Sequence, residues 1–264
     1  MPNSTLYVVA TPIGNKGDIT LRALAVLKKA DIIVCENSHH TALLLQHLNL
    51  LPHPHPKQQP PKNFIQDLTN RLLNQLQTLL LRTRPPKIIT FKYHHQKNQA
   101  LIQDLITQMT NKNLIVALLS TAGTPLISDP GLHLIQAAQE HDIPVQPIPG
   151  ASALTAALMI AGFNANYFVF LGMLPKKTNQ RQKWLSNWRD VPIKNTTYIA
   201  YVSKHQLLPA LKDIYSVFGD IQTFVGNDLT KLNQQGYKSN ITHLIDYFQT
   251  KPIKGEFVIV FSSK

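Results

Sequence analysis

The sequence predicts an α/β protein of two domains, a parallel-sheet N-terminal domain over residues 1–164 and a mixed-sheet C-terminal domain over residues 165–264, on three observations. Its 264 residues, 44% of them hydrophobic, are enough for a sizeable core and lie at the length where chains divide into domains. Up to residue 148, short continuous apolar runs alternate with amphipathic helical patterns, the signature of parallel strands covered on both faces. From Tyr167 onward the texture changes to longer strand-like runs separated by helices, which suits a mixed sheet.

The elements follow in order. Residues 7–10 read as a buried strand running into the tight turn Thr11-Pro12-Ile13-Gly14-Asn15. Residues 18–30 place Ile19, Leu21, Leu24, Val26 and Leu27 beside Arg22, Lys28 and Lys29, a helix with cations near its C-terminal end. Residues 32–35 form a second strand and 40–50 a second helix. The pattern recurs as a strand at 114–119, a helix at 132–139 and a strand at 145–148. Residues 51–87 interrupt it with seven of the 18 prolines. Within this insertion Ile65, Leu68, Leu72, Leu76 and Leu79 recur at helical spacing, predicting a surface helix between proline hinges. Gly162-Phe163-Asn164-Ala165-Asn166 is the expected hinge between domains. The second domain then reads as strands at 167–171, 197–202, 222–225 and 257–261, with helices at 180–188, 205–218 and 241–248.

Composition narrows the function classes. The net charge is +12, of which +5 falls on residues 1–164 and +7 on the shorter stretch 165–264. The C-terminal domain therefore carries the denser positive field, which favours a polyanion. No apolar run reaches the roughly 18–20 residues of a membrane span, and the N-terminus shows no signal-peptide pattern; no membrane partner and a cytoplasmic location are expected. The single cysteine, Cys35, has no internal disulfide partner and reads as a buried strand end. The eleven histidines include the pairs His39-His40 and His94-His95 and the spacing His53-x-His55, but no carboxylate or cysteine joins them at a ligand spacing, so no metal is expected.

Chemistry in such folds sits beyond the carboxyl ends of the strands. The turns there are Thr11-Pro12-Ile13-Gly14-Asn15, Glu36-Asn37-Ser38-His39-His40-Thr41, Ser120-Thr121-Ala122-Gly123-Thr124-Pro125 and Pro149-Gly150-Ala151-Ser152. Glycines admit close backbone approach and the hydroxyls donate or accept, which suits a ligand with amide-like edges better than concentrated phosphate. Neither the dinucleotide fingerprint nor the P-loop is present.

These turns, taken in order, resemble the ribosomal RNA small subunit methyltransferase I family of the tetrapyrrole methylase superfamily. The resemblance is carried by Thr11-Pro12-Ile13-Gly14-Asn15-x-x-Asp18-Ile19-Thr20-x-Arg22-Ala23, His40-Thr41-x-Leu43-Leu44, the block Ser120-x-Ala122-Gly123-Thr124-Pro125-Leu126-Ile127-Ser128-Asp129-Pro130-Gly131, and Pro149-Gly150-x-Ser152-Ala153. The second domain adds Gly172-Met173-Leu174-Pro175-x-Lys177 with Arg181, Leu229-Thr230-Lys231 and Lys254-Gly255-Glu256-Phe257-Val258.

The resemblance implies a two-domain tetrapyrrole-methylase-like fold with S-adenosylmethionine in the cleft between the domains. The implied reaction is methyl transfer to the 2′-hydroxyl of a cytidine in small-subunit (16S) ribosomal RNA, by a chain that works as a homodimer. Carried over by position, Pro12, Gly14, Ser120, Ala122, Gly123, Thr124, Pro149, Gly150 and Ser152 would hold the cofactor, with Leu229, Thr230 and Gly255 from the second domain. Glu36 is a candidate proton acceptor or, alternatively, a carboxylate capping the following helix. Lys231 and Lys254 are candidate cations positioning RNA phosphate. Lys176, Lys177, Arg181 and Lys183 are candidate RNA contacts, interleaved with Trp184 and Trp188, which would either stack on a base or bury into the core.

The departures from the family pattern fall on charged residues. The family usually shows Glu-Asp-Thr-Arg where this chain has Glu36-Asn37-Ser38-His39, Ser-Asp-Ala-Gly at Ser120-Thr121-Ala122-Gly123, Tyr-Glu-Ser-x-His-Arg at Tyr201-Val202-Ser203-Lys204-His205-Gln206, and Arg-Glu-Leu-Thr-Lys at Asn227-Asp228-Leu229-Thr230-Lys231. Paired loss of acid and base leaves either an active enzyme without some ion pairs or a catalytically silent RNA-binding relative. A methylase of small tetrapyrroles is the third reading, disfavoured by the basic surface.

Overall fold

The computed structural model describes residues 4–51, 85–91, 97–189 and 195–262. The chain divides into two compact units, Met1–Thr11 with Ile19–Gly150, and Pro12–Asp18 with Ala151–Lys264. The expected helix of the proline-rich insertion and the histidines at 53, 55, 94 and 95 lie outside the described residues.

In the first unit, β1 (Thr5–Val9), β2 (Ile32–Cys35), β3 (Lys87–Thr90), β4 (Ile115–Leu119) and β5 (Val145–Ile148) form one sheet in the order β3-β2-β4-β1-β5. Every pairing is parallel. Helices α1 (Leu21–Lys29), α2 (Ser38–His47), α3 (Lys97–Asn111) and α4 (Leu132–Glu140) cover it. Side chains alternate along each strand: Val116 and Leu118 of β4 pack with Leu105 and Ile106 of α3 and Leu134 of α4, whereas Ala117 and Leu119 face Leu27 of α1 and Leu45 of α2. Burial on both faces explains why β2 and β4 read as unbroken apolar runs, whereas the edge strand β5 exposes Gln146 and Pro147. Cys35 is buried in the second of these clusters, and burial pushes its thiol pKa up. The Thr20 side chain starts α1 by accepting from the Ala23 amide at 3.1 Å.

The second unit holds β6 (Phe168–Met173), β7 (Thr197–Ser203), β8 (Gln222–Asn227), β9 (Gln235–Asn240) and β10 (Glu256–Ser262) in the order β6-β7-β10-β8-β9. Only β6 and β7 are parallel, so the sheet is mixed as expected. Helices α6 (Thr178–Arg189), α7 (Leu207–Phe218) and α8 (Ile241–Thr250) pack Leu185, Leu211, Ile214 and Phe248 against Tyr198, Ile259 and Phe261. On the other face α5 (Ala153–Ala161) packs Leu154, Ala157 and Ala161 with Ile13, Ile199, Phe224 and Val258. The expected hinge at 162–166 lies within this unit. Four elements escape the sequence reading: β3 and α3, which follow the proline-rich insertion, α5, which is apolar on nearly every side and has no stripe, and β9, a polar edge strand without alternation.

Candidate functional site

In the first unit the chain leaves β1 for α1 on one face of the sheet and leaves β4 for α4 on the opposite face. The neighbouring strands β1 and β4 are therefore a topological switch point, the place beyond the carboxyl ends where sheets of this kind bind ligands. The strand-end turns meet there. Thr11 and Gly123 exchange amide-to-carbonyl bonds of 2.8 and 3.0 Å, and the Thr11 hydroxyl donates to the Ser120 carbonyl at 3.3 Å. Gly150 lies so close to Ala10 that a Cβ on it would stand 3.0 Å from the Ala10 Cβ. The Thr121 hydroxyl donates to Glu36 Oε2 at 3.3 Å, bringing in the turn after β2. Ser120, Gly123, Gly150 and Glu36 are thus gathered at one edge. Ala122 and Pro149 are exposed beside them, and Thr124 is half-buried.

Asp129 is the group that sequence reasoning passed over, because an Asp-Pro pair reads simply as a turn. Burial raises its pKa, the nearby Ser120 hydroxyl lowers it, and the charge of Glu36 raises it again. Two carboxylates thus share the edge, one of them with an elevated proton affinity. The turn leading to Asp129 holds Leu126 and Ser128 at φ of 74° and 65°, a conformation that costs non-glycine residues about 1–3 kcal/mol each and concentrates at ligand sites. The cap of α2 is Asn37, whose side chain accepts from the His40 amide at 3.1 Å. Glu36 therefore does not cap that helix, and Asn37 supplies the cap at the position where the family usually has Asp.

In the second unit, the segment 12–18 packs against residues 229–231. Pro12 and Ile13 are buried, the Asn15 amide donates to Thr230 Oγ1 at 3.1 Å, and the aliphatic stem of Lys231 lies against Gly14. Lys231 Nζ donates to Asp228 Oδ1 at 2.7 Å and to Glu256 Oε2 at 2.8 Å. Burial pulls this ammonium's pKa down, but the two carboxylates outweigh it and hold the pKa above its ordinary value. Lys231 is accordingly no free phosphate-binding cation, because its charge is already matched twice. The Leu229 side chain is buried in the core with Phe224 and Val258, so only its backbone is open to a ligand. Asp228 and Thr230 are held at φ of 48° and 65°. Gly255 sits at φ of 96°, and a Cβ there would overlap the Asp228 carboxylate. Lys254 is exposed, with its carbonyl accepting from Asn227 Nδ2 at 3.1 Å. Ser152 occupies the N-cap of α5 without a side-chain capping bond.

Among the expected RNA contacts, Lys176, Lys177 and Lys183 are exposed. Arg181 is a correction: it is 1% exposed and forms a buried ion pair with Asp213, with Nε to Oδ2 at 2.7 Å. No phosphate can reach it. Arg181, Trp184 and Trp188 stand at i, i+3 and i+7 along α6, but the Arg181 side chain turns toward α7. Trp188 packs against the helical core of this unit, and Trp184, 39% exposed, meets it edge-on at 6.0 Å between centroids.

The fold and its strand-end site define a class. Residues 5–245 match the model of the Tetrapyrrole (Corrin/Porphyrin) Methylases. The uroporphyrin-III C-methyltransferase of Thermus thermophilus, solved in complex with S-adenosylhomocysteine, superposes with a TM-score of 0.56 at 14% identity, covering 97% of this chain and 96% of that one. The ribosomal RNA small subunit methyltransferase I of Synechocystis sp. is 36% identical over 97% of this chain and 78% of its own length. That of Hydrogenobaculum sp. is 34% identical over 98% and 96%. The chain belongs to the ribosomal RNA small subunit methyltransferase I family.

Proposed function

We propose that this chain methylates the 2′-hydroxyl of a cytidine ribose in small-subunit (16S) ribosomal RNA, with S-adenosylmethionine as donor, in the cytoplasm. The observation that carries the reading is the convergence of the turns after β1, β2, β4 and β5 at the switch point of the first unit. The donor set fits the cofactor: backbone amides and the Ser120, Thr121 and Thr124 hydroxyls suit adenine and ribose edges, and the carboxylates of Glu36 and Asp129 suit a cationic sulfonium and ammonium. Gly14, Ser152, Thr230 and the Gly255 backbone of the second unit are assigned to the cofactor by the resemblance alone.

The bound cofactor supplies an electrophilic methyl group on a sulfonium, which leaves as a neutral thioether. The chain's own task is to align the ribose oxygen and accept its proton. Alignment alone can supply effective molarities of about 10⁵ M and more. Glu36, held by Thr121, and Asp129, with its raised proton affinity, are the proton acceptors within the same edge, a contribution of about 10²-fold or more. Lys176, Lys177, Lys183 and Lys254 are the exposed cations assigned to RNA phosphate.

A homodimer belongs to the same reading. α5 exposes Met159 (83%) and Ile160 (48%), and the edge strand β6 exposes Phe168 and Met173, apolar surface that a second copy would cover. Sedimentation as a monomer would remove this part of the proposal.

The deciding experiment supplies isotopically labelled S-adenosylmethionine and unmethylated small ribosomal subunits, then maps the labelled nucleotide. Label on one cytidine ribose supports the assignment. Label appearing only on a porphyrinoid overturns it, and calorimetry showing no cofactor binding identifies a silent RNA-binding relative.

A further inference from the structure

One buried side chain ties together the two turns that follow the parallel strands β6 and β7. Arg181, in the first turn of α6, donates through Nη1 to the carbonyls of Pro175 at 2.8 Å and Lys176 at 3.1 Å, both in the turn after β6. The same nitrogen donates to Gln206 Oε1 at 2.8 Å, in the turn after β7. Its Nε and Nη2 are held by Asp213 of α7. A guanidinium is planar, with its N–H groups in fixed directions, so these bonds set the position of one turn relative to the other.

On the solvent side of the two turns stand Lys176, Lys177, Lys204 and His205, all exposed. Among the described residues, none of the three lysines is paired with a carboxylate. The first turn opens into α6 at Thr178 and the second into α7 at Leu207. Because both helices follow parallel strands, both present their N-termini, with unsatisfied amides, at this end of the unit. Cations collected this way repel one another until an anion lies across them. Exposed basic groups distributed over two turns that follow paired strands suit a run of phosphates better than a single ion.

We propose that the Lys176–Lys177 turn and the Lys204–His205 turn form one platform for consecutive backbone phosphates of the substrate RNA, with Arg181 and Gln206 as positioning residues that hold the turns in register. The proposal rests on the RNA reading given above and deepens it. It adds Lys204 and His205 to the RNA surface, and it replaces Arg181 as a contact by Arg181 as the tie beneath the contacts. The family's usual arginine at 206 is here a glutamine that accepts from Arg181, while a lysine occupies 204.

The test uses the full chain and radiolabelled small-subunit RNA in filter binding between about 50 and 200 mM salt. The triple variant Lys176→Ala/Lys177→Ala/Lys204→Ala should flatten the dependence of log affinity on log salt by about 0.7–0.9 per cation removed, roughly two to three in all, while its S-adenosylmethionine affinity by calorimetry stays that of the parent. Gln206→Leu leaves the lysines and the buried ion pair in place and frees the second turn. It should raise KM for RNA severalfold with kcat unchanged, a split that a loss of general stability would not produce. A triple variant with the parent's salt slope overturns the platform, even if the parent methylates RNA. A parent that binds RNA with the steeper slope yet transfers no methyl group retires the enzymatic reading and supports the platform. Stronger binding of the parent to vesicles of anionic lipid than to RNA, lost in the triple variant, overturns the assignment to RNA.

Discussion

Replacing Arg181 with methionine keeps the aliphatic stem and removes the guanidinium from a site where it is 1% exposed and its partner Asp213 is 5% exposed. The carboxylate left behind keeps the Gln182 Nε2 bond at 2.8 Å but has no counter-charge. Breaking a buried pair in this way costs about 3–5 kcal/mol, a large share of the roughly 5–15 kcal/mol that stabilises a typical domain. Converting the pair as a whole, Arg181→Met with Asp213→Leu, removes both buried charges. The remaining loss is that of the donors to the Pro175 and Lys176 carbonyls and to Gln206, about 1–3 kcal/mol for each acceptor that water does not reach. The double variant should therefore be more stable than Arg181→Met alone and far more stable than the sum of the two single losses. Urea unfolding followed by tryptophan fluorescence reads this unit specifically, because both tryptophans of the chain lie on α6. An Arg181→Met loss under about 1 kcal/mol, or strict additivity of the two changes, would refute the claim that this pair is the electrostatic anchor between α6 and α7.

Three further perturbations probe the candidate site. Gly255→Ala forces a side chain into a φ of 96° and against the Asp228 carboxylate; a loss of about 1–3 kcal/mol is expected from the backbone alone, and a melting temperature equal to the parent's would show that the 228–231 knot tolerates the intrusion. Asp129 has a raised pKa, so its contribution to stability is complete below the usual aspartate range near pH 4 and is lost as pH rises through the elevated value. Asp129→Asn should consequently gain in melting temperature relative to the parent from that range toward neutrality while losing methyl transfer, and a pH-independent difference would contradict the shift. Asn37→Ala removes the cap of α2 and should cost about 1 kcal/mol, whereas Asn37→Asp should restore it; equal melting of all three chains would show that the cap carries no weight.

Much of the fold was legible in the chain. The strands β2 and β5 fall at the residues expected, 32–35 and 145–148, and the mixed character of the second sheet follows from its strand-like runs. Burial on both faces prints itself as an unbroken apolar run, and a helix lying on a sheet prints itself as a stripe. α5 and β9 were hidden because one has no polar side to define a stripe and the other has no buried side to define an alternation. The strand-end turns could be named from composition, since glycines, prolines and hydroxyls are set by local backbone geometry.

Which of those residues face a ligand was decided by contacts between segments far apart in sequence. A lysine or arginine reads identically whether it ends in water or against a carboxylate. Only the packing of α6 on α7 makes Arg181 an internal tie, and only the approach of residues 228 and 256 neutralises Lys231. Asp129 acquires its raised proton affinity from burial and from Glu36, 93 positions away in the numbering. Charge and spacing along the chain specify the elements and the class of partner. The free energy of each charged group depends on its solvation and its counter-charges, which exist only once distant segments have met.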